Sequence, residues 1–237
     1  MSYTVTGLAI GGFVPFLVFL KSFEVLLYEI MSWVVFYPRT LWRSGRHPLL
    51  MMERSKDELT LPPPEQFRDV VSPPIFLLLT LLVAHAFEVA VVGNSPLIDN
   101  GIGLAGLIQD NTSLIMFRLI AFATLPVIAG AFGVAATRQP LDRVTLQPFF
   151  YAQCFATTPV VLLCSIAECI SRLPQRAADV AAEIILAGAA IFYVSVETAW
   201  FAAEGKSGRA KGFMWAVAAF ATSCLVLAGA LLLFAGA

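Results

Sequence analysis

The sequence predicts an all-α protein: an integral membrane bundle of five transmembrane helices, preceded by an amphipathic or tilted N-terminal membrane helix. Three observations carry this. Of 237 residues, 59% are hydrophobic and 13% charged, against a charged fraction of about 25% in soluble domains, so a soluble fold of this size could not hide the apolar surface. Five apolar runs follow residue 72, each near the roughly 20 residues that a spanning helix needs. Eleven of the 15 lysines and arginines fall in three segments that alternate with segments poor in them. The basic segments belong on the cytoplasmic side, which places 37–72 in the cytoplasm and the C-terminus outside a bacterial cytoplasmic (inner) membrane. Three regions result: an N-terminal membrane-associated helix over 1–36, a basic cytoplasmic segment over 37–72, and a five-helix bundle over 73–237.

Residues 7–20 (GLAIGGFVPFLVFL) are almost wholly apolar, and the chain then turns amphipathic. At 100° per residue Lys21, Glu24, Tyr28, Glu29 and Ser32 share one side, and Phe23, Leu26, Leu27, Ile30, Trp33 and Val34 the other. That pattern suits a helix lying in the interface; a tilted span from 7 to 34 is the alternative. The next stretch carries Arg39, Arg43, Arg46, Arg54, Lys56 and Arg68. Its short helical part, LLMMERSKDEL, must end before Pro62-Pro63-Pro64. Bases beside a bilayer attract anionic lipid headgroups or dock a partner, and Arg39, Arg43, Arg46, Arg54 and Lys56 are the candidates for that contact.

The first span runs from 73 to 92. Residues 93–112, with Asp99, Asp110 and GIGLAG but no base, form an outside loop; the glycines lack the flanking strand and lysine of a phosphate cradle. The second span (about 113–136) holds Arg118 and Pro126, and the third (about 147–170) holds Pro159 and Glu168. Two mid-depth prolines in consecutive spans suggest an adjacent, kinked pair. SRLPQR is an outside turn despite Arg172 and Arg176. The fourth span (about 178–202) contains Glu183, the small-residue stretch AGAA (187–190) and Glu197; the fifth (about 213–236) is alanine-rich. Small residues let backbones approach, so spans four and five are expected to pack tightly.

Ionisable side chains in hydrocarbon are costly and must face protein or water. His85 and Glu88, three apart, share a helix face. The direction of each span puts His85 near the midplane, Glu88, Arg118, Glu168 and Glu183 further out, and Glu197 in the inner half. Fourteen residues return nearly to the same face, so Glu183 and Glu197 mark one side of a helix about 21 Å apart. The resulting expectation is an outward-facing polar cavity lined by Glu88, Glu183 and Glu168, with Arg118 as partial counter-ion, His85 at its base and Glu197 on the inner side. Three acids to one arginine would suit a cation or a proton.

Other chemistries are poorly supplied. There are two histidines, His47 in the basic segment and His85 in a span, and the HExxH and nucleophile-elbow patterns are absent. The four cysteines, Cys154, Cys164, Cys169 and Cys224, lie in apolar runs without CxxC spacing and read as packing residues. The start lacks the basic and small-residue features of a signal peptide. A net charge of -1 gives no electrostatic footprint for nucleic acid. No enzyme, metal or cofactor is therefore expected.

The entry sequence EQFRDVVSPPIFLLL, and DRVTLQPFFYAQCFATTPVVLL leading into the third span with Tyr151 and Pro159, resemble bacterial Yip1-domain membrane proteins in layout over residues 60–236. The resemblance implies a non-enzymatic membrane protein concerned with membrane organisation or partner recruitment, often an oligomer, without a cofactor; no functional residues carry over. Two functions follow from the sequence. One is an oligomeric channel or transport component that uses the buried acids. The other is a non-transporting scaffold or assembly subunit that holds protein partners or lipid. Acids on a continuous wetted path would favour the first, and acids sealed in pairs beside a broad apolar flank the second.

Overall fold

A computed structural model describes residues 13–92 and 111–235, which leaves the loop with Asp99, Asp110 and GIGLAG, and the start of the 7–20 run, outside the described residues. The described chain is all-helical: α1 (Phe13–Arg46), α2 (Pro48–Glu58), a 3-10 turn (Pro63–Glu65), α3 (Pro73–Val92), α4 (Asn111–Ala136), α5 (Arg143–Ser171), α6 (Arg176–Glu204) and α7 (Arg209–Ala235). Five of them, α3 to α7, are long and apolar enough to cross a membrane, and the protein is a membrane-embedded helical bundle.

The bundle is built around α5, which packs on α3, α4, α6 and α2, while α7 closes the outer side against α4 and α6. Composition explains this position. The run from Ala152 to Val161 is buried at every residue, and it mixes small residues with Gln153, Thr157 and Thr158, which lipid would not solvate. Thr158 donates to the Cys154 carbonyl at 2.7 Å, so its hydroxyl is satisfied inside the helix. An aspartate at the start, Asp142, accepts from the Val144 and Thr145 amides at 2.8 Å and closes a capping box.

Glycines set the closest approaches. A Cβ on Gly130 would stand 3.1 Å from the Phe150 nitrogen, and one on Gly133 would stand 2.5 Å from the Phe149 ring, so the proline-bearing α4 and α5 are adjacent. In the α6–α7 pair, Gly212 lies close against the Thr198 carbonyl and the Ala202 nitrogen. The AGAA stretch contributes less than its composition suggests. Ala189 is buried, but Gly188 faces open space.

The boundary drawn at residue 36 from composition does not break the chain. α1 continues through Pro38 to Arg46 as one helix. Pro38 removes the donor for the Val34 carbonyl, but both residues are on the exposed side, where that loss is cheap. The second half of α1 is tied to the bundle: Tyr37 and Thr80 hydroxyls meet at 2.9 Å, and Thr40 Oγ1 accepts from the Val71 amide at 3.1 Å. Trp33, Phe36 and Leu41 add apolar cover over Met51, Val71, Phe76 and Phe155. Ahead of these contacts, residues 21–31 are exposed on both the polar and the apolar side.

Replacing Gly212 with leucine should force α6 and α7 apart and cost about 1–3 kcal/mol or more, as overpacking does. The same change at Gly188 should leave the melting temperature in detergent unchanged, since nothing stands within 4 Å of its Cβ position. Equal melting temperatures for the two variants would contradict this packing.

Candidate functional site

Charged groups gather at the two ends of the bundle. At the end remote from α2, three helix termini bring His85 and Glu88 (α3), Arg118 (α4) and Glu168 and Arg172 (α5) together. Glu88 is almost fully buried and is held from two sides. Arg118 Nη1 pairs with its Oε2, and Arg172 Nη2 stands 3.0 Å from its Oε1. Glu168 lies on the solvent side of the same cluster, 2.6 Å from Arg172 Nη2 and 3.7 Å from Arg118 Nη2. His85 Nδ1 is 4.0 Å from Glu88 Oε2 and has no hydrogen-bond partner. Two carboxylates therefore face two guanidiniums, and the charges balance without an added ion.

This arrangement differs from the expected acidic cavity in three respects. Arg172, read from sequence as a turn residue, caps α5 and supplies the second cation. Its i,i+4 spacing from Glu168 was the available signal. Glu183 stays apart: it is exposed on α6 and meets none of these groups. Glu197, on nearly the same face of α6, is fully buried elsewhere, between α5 and α6, where Gln153 Nε2 donates to its Oε2 at 2.8 Å. Its other oxygen, the Gln153 side-chain amide oxygen and the Trp200 indole N–H are buried without hydrogen-bond partners of their own. The six residues singled out for one cavity thus divide into a cluster of four (His85, Glu88, Arg118, Glu168), a sealed pair around Glu197, and an isolated Glu183.

At the α2 end, bases from the 37–72 segment are spent on internal ion pairs. Arg54 binds Glu58 Oε1 at 2.8 Å and pairs bidentately with Asp69, which Arg43 also reaches at 3.3 Å. Glu58 Oε2 accepts from the Phe67 amide at 2.7 Å and so holds Phe67 at φ 53, a left-handed conformation that an aromatic residue rarely adopts. Lys56 Nζ lies between the Glu204 oxygens, at 2.7 and 2.8 Å, and over the Phe149 and Trp200 rings at 4.9 and 5.3 Å. These contacts fasten α2 and the 59–72 loop onto α1, α5 and α6. Of the five bases proposed for lipid or partner contact, Arg43, Arg54 and Lys56 have acidic partners inside the molecule, whereas Arg39 and Arg46 have none among the described residues.

Burial alone would raise the Asp69 carboxyl, but hydrogen bonds and charge from Arg54 and Arg43 outweigh it and hold Asp69 below its ordinary value. A carboxyl lowered on folding contributes stability above its unfolded pKa and loses it as pH falls below that value towards the folded one. Acidification below about pH 4 should therefore loosen the α1–α2 corner, read as faster proteolysis near residues 59–72. In Asp69→Asn the corner should already be loose at pH 7, and this acid step should be absent.

At the other end, Glu88→Gln leaves two guanidiniums to share Glu168 and should cost about 3–5 kcal/mol, the usual effect of breaking a buried pair. Adding Arg172→Gln should recover part of that loss, because the pair is coupled. Strictly additive melting shifts would show that Glu88 and Arg172 do not interact.

Compared with protein-family models, with characterised proteins and with solved structures, the chain gives no match.

Proposed function

We propose that the protein is a non-enzymatic, non-transporting assembly subunit of the bacterial cytoplasmic membrane, which holds a protein partner along the first half of α1. The observation that carries this reading is the state of the buried acids. Glu88 is enclosed by Arg118 and Arg172, and Glu197 is sealed against Gln153. A conducting path needs groups that exchange partners with a passing ion. The Glu88 cluster, balanced by two guanidiniums, acts as a structural tie, and Glu197 is shut away from water against the neutral Gln153 amide.

The uncovered part of α1 supplies the surface for a partner. Phe23, Leu26, Leu27 and Ile30 are each at least 40% exposed on one side, and Lys21, Glu24 and Glu29 are exposed on the other. An amphipathic helix with neither side packed on its own bundle has the form of a helix-in-groove ligand. The excess of bases in the 37–72, 137–143 and 205–211 segments orients the α2 end towards the cytoplasm and the C-terminus outward. The resemblance in layout to Yip1-domain proteins would imply the same class of role.

Two measurements on the full chain test the proposal. Proteoliposomes should show no proton, sodium or potassium flux above empty vesicles under a pH gradient or a membrane potential. A photo-crosslinking side chain at Met31 should capture a discrete protein in native membranes, and one at Ile191 on α6 should not. Ion flux that disappears in Glu88→Gln while the fold survives would overturn the proposal in favour of transport. Crosslinks to lipid alone at Met31 would reduce α1 to an interfacial anchor.

A further inference from the structure

Two clefts meet at the corner between α1 and α2. One, of about 550 Å³, lies between the last turns of α1 and the face of α5, walled by Pro38, Leu41, Trp42, Pro159, Leu162 and Leu163. The other, of about 420 Å³, lies between the start of α2 and α6, walled by Pro48, Leu49, Leu50, Ser195, Val196 and Ala199. Both are in the size range of small-molecule sites, about 300–1,000 Å³. Arg46 lines both clefts, and His47 stands beside it in the second.

Arg46 is the informative residue. Its neighbours Arg43, Arg54 and Lys56 are neutralised within the molecule, but among the described residues no carboxylate lies within ion-pair distance of Arg46, whose guanidinium carbon stands 6.0 Å from the Trp42 ring centre. Neither cleft has an acidic residue in its walls. Ser195 and Ala199 precede Glu204 on α6 by nine and five residues, so the second cleft sits about 7.5–13.5 Å in from that helix end, at acyl-chain depth. A guanidinium there is costly unless an anion meets it or its long stem carries it towards the headgroups. α2 also begins at this corner without a side-chain cap, and its amide end favours negative charge.

We propose that the α1–α2 corner binds one anionic diacyl phospholipid, with its phosphate on Arg46 and one acyl chain in each cleft. Two apolar grooves converging on one uncompensated base match a ligand with two tails and one anionic head. A headgroup with its own ammonium is disfavoured, because the walls offer bases and no carboxylate to receive it. The site is independent of the assembly role, and either reading can fail without the other.

The test uses the purified full chain in detergent, read by thermal shift and by lipid retention in native mass spectrometry. Phosphatidylglycerol should raise the melting temperature and be retained at least tenfold better than phosphatidylcholine with the same chains. Arg46→Gln should remove that preference, while Arg39→Gln, an exposed base outside both clefts, should not. Gly45 lines the first cleft, and its Cβ position has nothing within 4 Å. Gly45→Leu should therefore weaken retention without lowering the lipid-free melting temperature, and Ala199→Phe should weaken retention from the second cleft. Equal retention of the two lipids by the wild-type chain, or undiminished phosphatidylglycerol binding by Arg46→Gln, would overturn the proposal. Inorganic phosphate alone giving the full thermal shift would also overturn it, by assigning the corner to a free anion.

Discussion

A carboxylate carried into a membrane bundle has to meet cations or give up its charge, and the far end of this protein is arranged around how Glu88 meets that requirement. Its two oxygens face guanidiniums from two other positions, Arg118 on α4 and Arg172 at the end of α5. Because the partners come from different helices, the ion cluster fixes the mutual register of α3, α4 and α5 at a level where Glu168 and Arg172 still reach the surface. Van der Waals contact between apolar helices in lipid is weakly directional, since lipid tails resemble leucine side chains. A buried ion cluster with four fixed partners is far less tolerant of sliding.

The α2 end solves a related problem with different means. α5 presents a buried face that α3, α4 and α6 do not fully cover, and α2 fills the remaining part with Met51 and Met52. The ion pairs of Arg43, Arg54 and Lys56 hold that short helix in place from its wetter side. Such partly exposed pairs contribute little individually. Their value here is geometric: three of them act on one eleven-residue helix and the loop after it. Half of the six bases that composition presents as a basic surface are thus an internal clamp, and the remainder are Arg39, Arg46 and Arg68.

Much of this was legible in the chain. The five spans follow from length and hydropathy, because a helix is the only open segment that satisfies its own backbone in hydrocarbon. The closeness of His85 and Glu88 follows from their spacing of three. The division of the six ionisable candidates into separate neighbourhoods did not follow. Glu183 and Glu197 share a face of α6, yet one is exposed and the other has no accessible surface, because the helices packed against α6 cover only part of its length. Spacing reports the angle around one helix; burial depends on where the neighbours begin and end.

The amino-acid sequence by itself determined that this chain partitions into lipid as a set of helices, since that outcome depends on local composition summed along each segment. Only the tertiary structure decided which charges neutralise each other. Arg172 became the second partner of Glu88 from 84 residues away, and Lys56 the partner of Glu204 from 148 residues away. Such pairings depend on distances between helices, set by glycines such as Gly133 and Gly212 and by the bulk of the side chains facing them. No periodicity within a single helix encodes them.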